Sequence, residues 1–235
     1  MASSHEDFSQ FDISKEEKDK LVAEVIRYVL FRTYQSSRCP IKRDDLTQLI
    51  TKNYRHRGLP SLVINEAREK LSSIFGYEMK ELQRVRPSTN QGLSGQQSLV
   101  DAKSYVITSQ LPPEVYRKHV EDTKTFTSSG FTFAVIGIVH LAGGKISEED
   151  LWDQLKRMGL HGSDERHPVF GNIKQQLESL IQQRYLQKDK VNSADGHIMV
   201  VYELAERALD DSVIQSVKEY VGQTMTIDDA SEETD

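Results

Sequence analysis

Apolar residues recur at helical spacing over seven stretches of the chain and gather into short strand-like runs over four more. The strongest stretch is Phe131 to Ala142, twelve residues interrupted only by Thr132, Gly137 and His140. Crossing a bilayer takes roughly 20 residues, so this run predicts a helix within a folded unit. A helix apolar on every side is expected to be covered on every side, by its own unit or by a partner. Gly143-Gly144 follows as a stop. Ser147 is the expected N-cap of the next helix, with Asp150 in the position where a capping box usually places Glu or Gln. Leu151, Leu155 and Met158 then share one face, with Trp152, the only tryptophan, beside them.

The same period marks a first helix from Ser14 to about Gln35, with Leu21, Val22, Val25, Ile26, Val29, Leu30 and Phe31 apolar. A helix covering one core needs an apolar stripe about 100° wide, and this set is wider because Leu30 and Phe31 extend beyond the main face. Two readings follow: a helix wedged between two layers of its own protein, or a helix with a second apolar face for a partner. Cys39-Pro40 breaks the chain. A second helix opens at Ile41 to Leu46 and ends near Asn53, and a third starts at Pro60. Ala67, Leu71, Ile74 and Phe75 mark the expected buried face of that third helix, and Gly76 ends it. Tyr77 to Arg84 and Tyr105 to Ile107 read as two strands joined through a polar, Gly-containing loop, Pro87 to Gln97. Three helices followed by a hairpin is the winged-helix plan.

After a connector from Leu111 to about Thr125, the plan repeats. Phe131 to Ala142 is the first helix, Ser147 to Met158 the second, and Phe170 to Gln183 the third, with Ile173, Leu177, Leu180 and Ile181 inward. Tyr185 to Val191 and Ile198 to Tyr202 form the hairpin, around an Asp195-Gly196 turn. A last helix is expected from Glu206 to Gly222, with Leu209, Val213, Val217 and Tyr220 on one side. Ile41-x-x-Asp44-Asp45-Leu46 recurs as Ile146-x-x-Glu149-Asp150-Leu151, each at the start of the second helix of its unit, where acids favour the positive end of the helix dipole. The predicted fold is mainly α with small β-hairpins (α+β), two winged helices in tandem. The expected boundaries are a disordered 1–13, domain A over 14–110, a linker over 111–124, domain B over 125–223, and a disordered acidic tail over 224–235.

Composition narrows the function. The 235 residues carry one cysteine, so no intrachain disulfide and no cysteine zinc site can form. The N-terminal twenty residues lack the apolar run of a signal peptide, and an intracellular, reducing location is expected. The net charge of −6 is unevenly spread: residues 21–86 carry 13 basic and 7 acidic side chains, whereas residues 221–235 carry 5 acids and no base. A basic surface on the first unit can attract phosphates although the chain is acidic overall. Enzyme readings fare badly. There is no G-x-x-x-x-G-K-[ST] and no H-E-x-x-H, and Gly143-Gly144-Lys145 closes a helix. His161 and His167 flank a polar loop, His140 reads as a core or interface residue, and Cys39 has no assigned histidine partner. No catalytic residue, metal or cofactor is assigned.

The residues of the second unit also carry a resemblance. Val135-Ile136-Gly137-Ile138-Val139, Gly143 or Gly144, Glu149, Trp152 and Leu155-Lys156-Arg157-Met158-Gly159 are followed by Phe170-Gly171, Arg184-Tyr185-Leu186 and Tyr202-Glu203. Pro40-Ile41-Lys42-Arg43 and Ile74-Phe75-Gly76-Tyr77 belong to the same pattern in the first unit. From Ser14 to Gly222 the chain resembles a MAGE homology domain, a tandem of two winged helices. Leu204-Ala205-Glu206 departs from it, standing where the mammalian pattern has an aromatic and Gly-Pro. In length the chain is most similar to the ancestral-type branch, the MAGE subunit of the Smc-five/six complex.

The resemblance implies a nuclear, chromatin-associated adaptor in chromosome maintenance and DNA repair. It implies a RING-type ubiquitin ligase subunit bound through the first helix, at Val29, Leu30 and Phe31, which favours the partner-face reading of that helix. It implies a kleisin subunit bound through the second unit, at Phe133, Ile136 and Val139, with SMC proteins reached through the kleisin. It also implies non-specific contact with DNA phosphates, for which Lys42, Arg43, Arg55, Arg57, Lys174, Arg184, Lys188 and Lys190 are the candidates. The alternative is a sequence-specific DNA-binding regulator. Its reading residues would be Asn65, Glu66, Arg68, Glu69 and Lys70, or Asn172, Lys174, Gln175 and Gln176. The interleaved acids of the first set repel phosphates and the second set is sparse, so the adaptor is preferred.

Overall fold

In the computed structural model the chain divides into two compact units, Met1–Tyr116 and Arg117–Asp235. The structure describes residues 13–35, 38–52, 54, 56–82, 103–121, 123–192 and 198–219. The expectations for residues 1–12, the Pro87–Gln97 loop, the 193–196 turn and the 224–235 tail lie outside the described residues.

The first unit runs α1 (Lys15–Gln35), β1 (Ile41–Lys42), α2 (Arg43–Thr51), α3 (Leu59–Phe75), β2 (Tyr77–Leu82) and β3 (Ser104–Ser109). A reciprocal capping box starts α1. Ser14 Oγ accepts the Glu17 amide at 3.2 Å, and Glu17 Oε2 accepts the Ser14 amide at 3.0 Å, so two orphan donors are satisfied. Leu21, Val22, Val25, Ile26 and Val29 bury one stripe of α1 against Leu46 and Ile50 of α2 and Leu59, Val63, Ile64, Ala67 and Leu71 of α3. Gly76 closes α3 at φ +66°, a backbone conformation that costs a side chain and suits glycine. The expected buried face of α3 needs correction at its end. Ile74 is 68% exposed and Phe75 46%, because the last turn runs past the core that Leu71 already reaches.

β1, β3 and β2 form an antiparallel sheet in that order, with Ile41 opposite Tyr105 and Met79 opposite Ile107. Helix α4 (Pro113–His119) occupies the expected connector.

The second unit repeats the order: α5 (Thr123–Leu141), β4 (Lys145–Ser147), α6 (Glu148–Arg157), α7 (Ile173–Gln182), β5 (Leu186–Asn192), β6 (Ile198–Leu204), and a final helix α8 over 211–219. Its sheet has the order β4-β6-β5, with Ile146 opposite Tyr202. Both units therefore have the tandem winged-helix plan, α+β with a small sheet in each. Ser147 caps α6 as expected: its Oγ accepts the Asp150 amide at 3.0 Å and donates to Asp150 Oδ2 at 2.6 Å. Leu151 and Leu155 of α6 are fully buried, with Ile173, Leu177 and Leu180 of α7 and Leu186 beside them.

Three expectations for this unit change. Helix α5 begins eight residues before Phe131, and its own unit covers it on one side only. It buries Phe131, Val135, Ile136 and Val139, while Ala134, Gly137 and Ile138 are half-buried and Phe126 and Leu141 exposed. Met158 lies just past α6 and is exposed. The last helix starts at 211 because 206–209 form a turn. That leaves Leu209 exposed, while Val213 and Val217 pack on the core.

Candidate functional site

The partner residues assigned to α1 sit on consecutive positions and so point in three directions. Val29 is 0% exposed and belongs to the core. Leu30 is half-buried and packs against that core, and Phe31 is 64% exposed. Of the three, Phe31 is the one free to meet another molecule. It lines a groove of about 550 Å³ between α1 and α2 with Glu24, Arg27, Tyr28, Leu49 and Lys52. Tyr28, Phe31 and Leu49 make the floor apolar, and Arg27 and Lys52 supply two cations that form no ion pair among the described residues. The sequence pattern flagged this face only through the excess width of the α1 stripe. Leu49 and Lys52 come from a different element and carried no signal.

On α5 the three kleisin candidates divide differently. Ile136 and Val139 are buried in the second unit, and Phe133 is half-buried against the same core. The accessible apolar face is formed by Phe126, Ala134, Gly137 and Leu141, at spacings of eight, three and four residues. A Cβ added at Gly130 or Gly137 would meet no neighbour within 4 Å, so the helix backbone is open to close approach there. Trp152 is half-buried, its ring 3.2 Å from where a Cβ on Gly162 would lie.

The basic candidates separate into free and engaged side chains. Lys42, Arg57, Lys174 and Lys190 are exposed and form no ion pair among the described residues. Arg43 donates to Ser61 Oγ at 2.7 Å and to the Tyr105 hydroxyl at 3.5 Å, fixing α2 to α3 and β3. Arg184 is held in a bidentate pair with Glu206. Lys188 donates to Glu148 Oε1 at 2.9 Å, and the Tyr202 hydroxyl donates to the same oxygen at 3.0 Å. The Lys188 hydrogen bond lowers the Glu148 pKa and the Glu148 hydrogen bond raises that of Lys188; burial raises that of Tyr202. Arg55 lies outside the described residues.

Four of the nine side chains that would read bases, Glu66, Lys70, Asn172 and Gln176, are also engaged. Glu66 pairs with Lys18 at 3.0 Å, and Lys70 with Asp19 at 3.3 Å and Glu66 at 3.1 Å, tying α3 to α1. Asn172 caps α7 by accepting the Gln175 amide, and Gln176 donates to the Phe170 carbonyl. His167 Nδ1 accepts the amides of Val169 and Phe170, a turn-forming role. Among the described residues no group of three His, Cys, Asp or Glu is placed to hold a metal ion.

The family profile of the MAGE homology domain matches residues 25–213. The mouse non-structural maintenance of chromosomes element 3 homolog is 28% identical over 184 residues, covering 78% of this chain and 57% of that protein. Human melanoma-associated antigen 8 is 28% identical over 210 residues, 88% of this chain and 58% of that protein. The chain thus spans a little over half the length of these relatives. A chain of the solved Nse1-Nse3-Nse4 complex superposes with a TM-score of 0.74 at 23% identity, covering 91% of this chain and 93% of that one, a likeness of fold. With the profile running through both winged-helix units, the chain belongs to the MAGE homology domain family.

Proposed function

We propose that this chain is a non-catalytic adaptor, the MAGE-type subunit of an Smc-five/six chromosome-maintenance and DNA-repair complex in the nucleus, associated with chromatin. The observation that carries the proposal is the pairing of two open apolar faces, one on the first helix of each winged helix, in a chain whose relatives include element 3 homologs of that system. The α1 face, with Phe31 exposed and Leu30 beside it, receives the RING-type ubiquitin ligase subunit. The α5 face receives an apolar segment of the kleisin, which connects the chain to the SMC proteins. Helix-in-groove recognition uses apolar anchors at this spacing. Phe126, Ala134, Gly137 and Leu141 supply the contact surface and Phe133, Ile136 and Val139 the wall behind it. Lys42, Arg57, Lys174 and Lys190 contact DNA phosphates without sequence choice. No cofactor or metal enters this function.

Affinity capture from nuclear extract, wild type beside Phe31→Asp, tests the reading. Wild type should recover SMC subunits, a kleisin and a RING protein, and Phe31→Asp should lose the RING protein alone. Recovery of no SMC component, with retention on a preferred DNA sequence, would replace the adaptor by the regulator.

A further inference from the structure

The two wings differ at one sheet edge. In the first unit Ile41 pairs with Tyr105, and the Arg43 amide then donates to the Lys103 carbonyl at 2.9 Å, so the first residue of α2 closes the edge of β3. In the second unit Ile146 pairs with Tyr202 in the equivalent place. There, among the described residues, no backbone bond joins Glu148, the first residue of α6, to Val200. β4 ends opposite Val201, and β6 continues past it on that side through Val200, Met199 and Ile198.

The backbone groups of an antiparallel strand point alternately to its two neighbours. The Leu204 amide donates to Gly144 on the β4 side, and the Ala205 amide to Tyr185 on the β5 side. Alternation from Leu204 through Tyr202 therefore turns the N–H and C=O of Val200 and Ile198 to the β4 side, where no strand of the described residues meets them. Those of Met199 and Val201 go to β5. An open strand edge is a template for another strand.

Beside this edge lies a cleft of about 370 Å³. Val191, Met199 and Val201 form its floor, and Lys145, Ile146, Ser147 and Asp150 its rim. Val191 and Met199 are exposed, as is Ile198 at the tip of the wing. Side chains directly opposite one another share a face of the sheet. Asp189, opposite Val201, and Glu203, opposite Lys145, therefore stand on the cleft side. With Asp150 they make three acids against the single cation of Lys145.

We propose that the second wing binds an extended peptide by strand addition. The peptide runs antiparallel to β6, in line with β4, and exchanges hydrogen bonds with Val200 and Ile198. A branched apolar side chain enters the cleft against Val191 and Met199. Basic residues precede the paired stretch, beside Asp150 and Asp189. Main-chain pairing supplies the affinity, and the cleft and its acids select the sequence. This surface is on neither of the helix faces assigned to partners above, so it stands independently of those assignments.

The probe is the peptide acetyl-Lys-Lys-Thr-Val-Thr-Thr amide, titrated against the full isotope-labelled chain with amide hydrogen exchange read by NMR. In the free chain the amides of Met199 and Val201 should exchange slowly and that of Val200 fast. Saturating probe should slow Val200 by about tenfold or more. N-methylation of the first Thr, which faces Val200, should weaken binding by roughly tenfold, a hydrogen bond lost at a closed contact. N-methylation of the Val, whose amide points away from β6, should leave binding unchanged. Met199→Glu should abolish binding and, at an exposed position, melt within a few degrees of wild type; if it unfolds, the two N-methylated probes decide alone. Equal sensitivity to both N-methylations would mean an adventitious apolar contact and overturn the strand addition. So would the absence of saturable binding by about 1 mM. A Val200 amide already protected in the free chain, increasingly so at higher protein concentration, would place a second copy on the edge and displace the peptide.

Discussion

The Arg184 guanidinium donates from Nε and Nη2 to the two carboxylate oxygens of Glu206, at 3.0 and 2.6 Å. The pair joins the end of α7 to the turn after β6, and it is largely enclosed, with 21% and 11% of the side chains exposed. Arg184 also holds a left-handed backbone at φ +64°, and its carbonyl accepts the Arg207 amide at 3.1 Å. The cation is spent on closing the wing onto the helix. Arg184→Ala loses a bidentate charge pair at a strained position and should lower stability by about 2–3 kcal/mol. Thermal or denaturant unfolding measures the loss. A change below about 0.5 kcal/mol, the size expected of an ordinary surface position, would return Arg184 to the set of free phosphate-binding cations.

The consecutive positions Val29, Leu30 and Phe31 should give graded responses to aspartate. Val29→Asp places an unpaired charge in the core of the first unit and should cost more than about 3 kcal/mol. Leu30→Asp should lower stability by an intermediate amount, since its side chain packs on that core. Phe31→Asp should melt within a few degrees of wild type and still lose the RING-type partner. Melting curves beside capture assays separate folding from binding. A Phe31→Asp variant that unfolds would place Phe31 in the core.

Much of this fold can be read from the chain because each winged helix is built from strong periodic helices with local stop signals. The matching motifs at Ile41 and Ile146 do mark equivalent places: each isoleucine faces a tyrosine, Tyr105 or Tyr202, and each following leucine, Leu46 or Leu151, is fully buried. The strands that carry those isoleucines are two and three residues long and exist only through pairing with β3 and β6. Periodicity has no purchase on segments that short. Helical spacing carries the α3 face on to Ile74 and Phe75, which are exposed, for a related reason. Spacing shows which residues share a side but not where the opposing core ends. The division of the lysines and arginines into free and engaged was hidden as well. Arg184 and Glu206 are 22 positions apart, and Lys188 and Glu148 are 40 apart.

Glu148 supplies a pH signature. Chiefly through the Lys188 hydrogen bond, its folded pKa lies below the usual carboxylate range, so its contribution is present above the unfolded pKa of about 4.3 and is lost as pH falls through the folded value. Lys188 is shifted the other way, so its share is present below the unfolded lysine pKa and fades as pH rises through the folded one. The melting-temperature gap between wild type and Glu148→Gln should be widest near neutrality and narrow toward pH 3. A gap that stays constant from neutral to acid would mean that the Glu148 charge does not stabilise the wing.

Free and engaged cations should also part company on DNA. Each phosphate neutralised by a free lysine releases condensed counterions, which sets the slope of log affinity against log salt at about −0.9 per contact on duplex DNA. Lys174 on α7 and Lys190 on β5 are exposed and form no ion pair among the described residues, whereas Lys188 is already shared with Glu148. Lys174→Gln with Lys190→Gln should flatten the slope by about 2 and weaken binding equally for unrelated sequences. Lys188→Gln alone should move the slope by less than either free lysine, because its charge is compensated in the folded protein. Fluorescence anisotropy over a salt series reads both effects. If Lys188 shifted the slope by a full contact and Lys174 and Lys190 did not, DNA would lie across the engaged face of the wing and would have to break the Glu148 pair to bind.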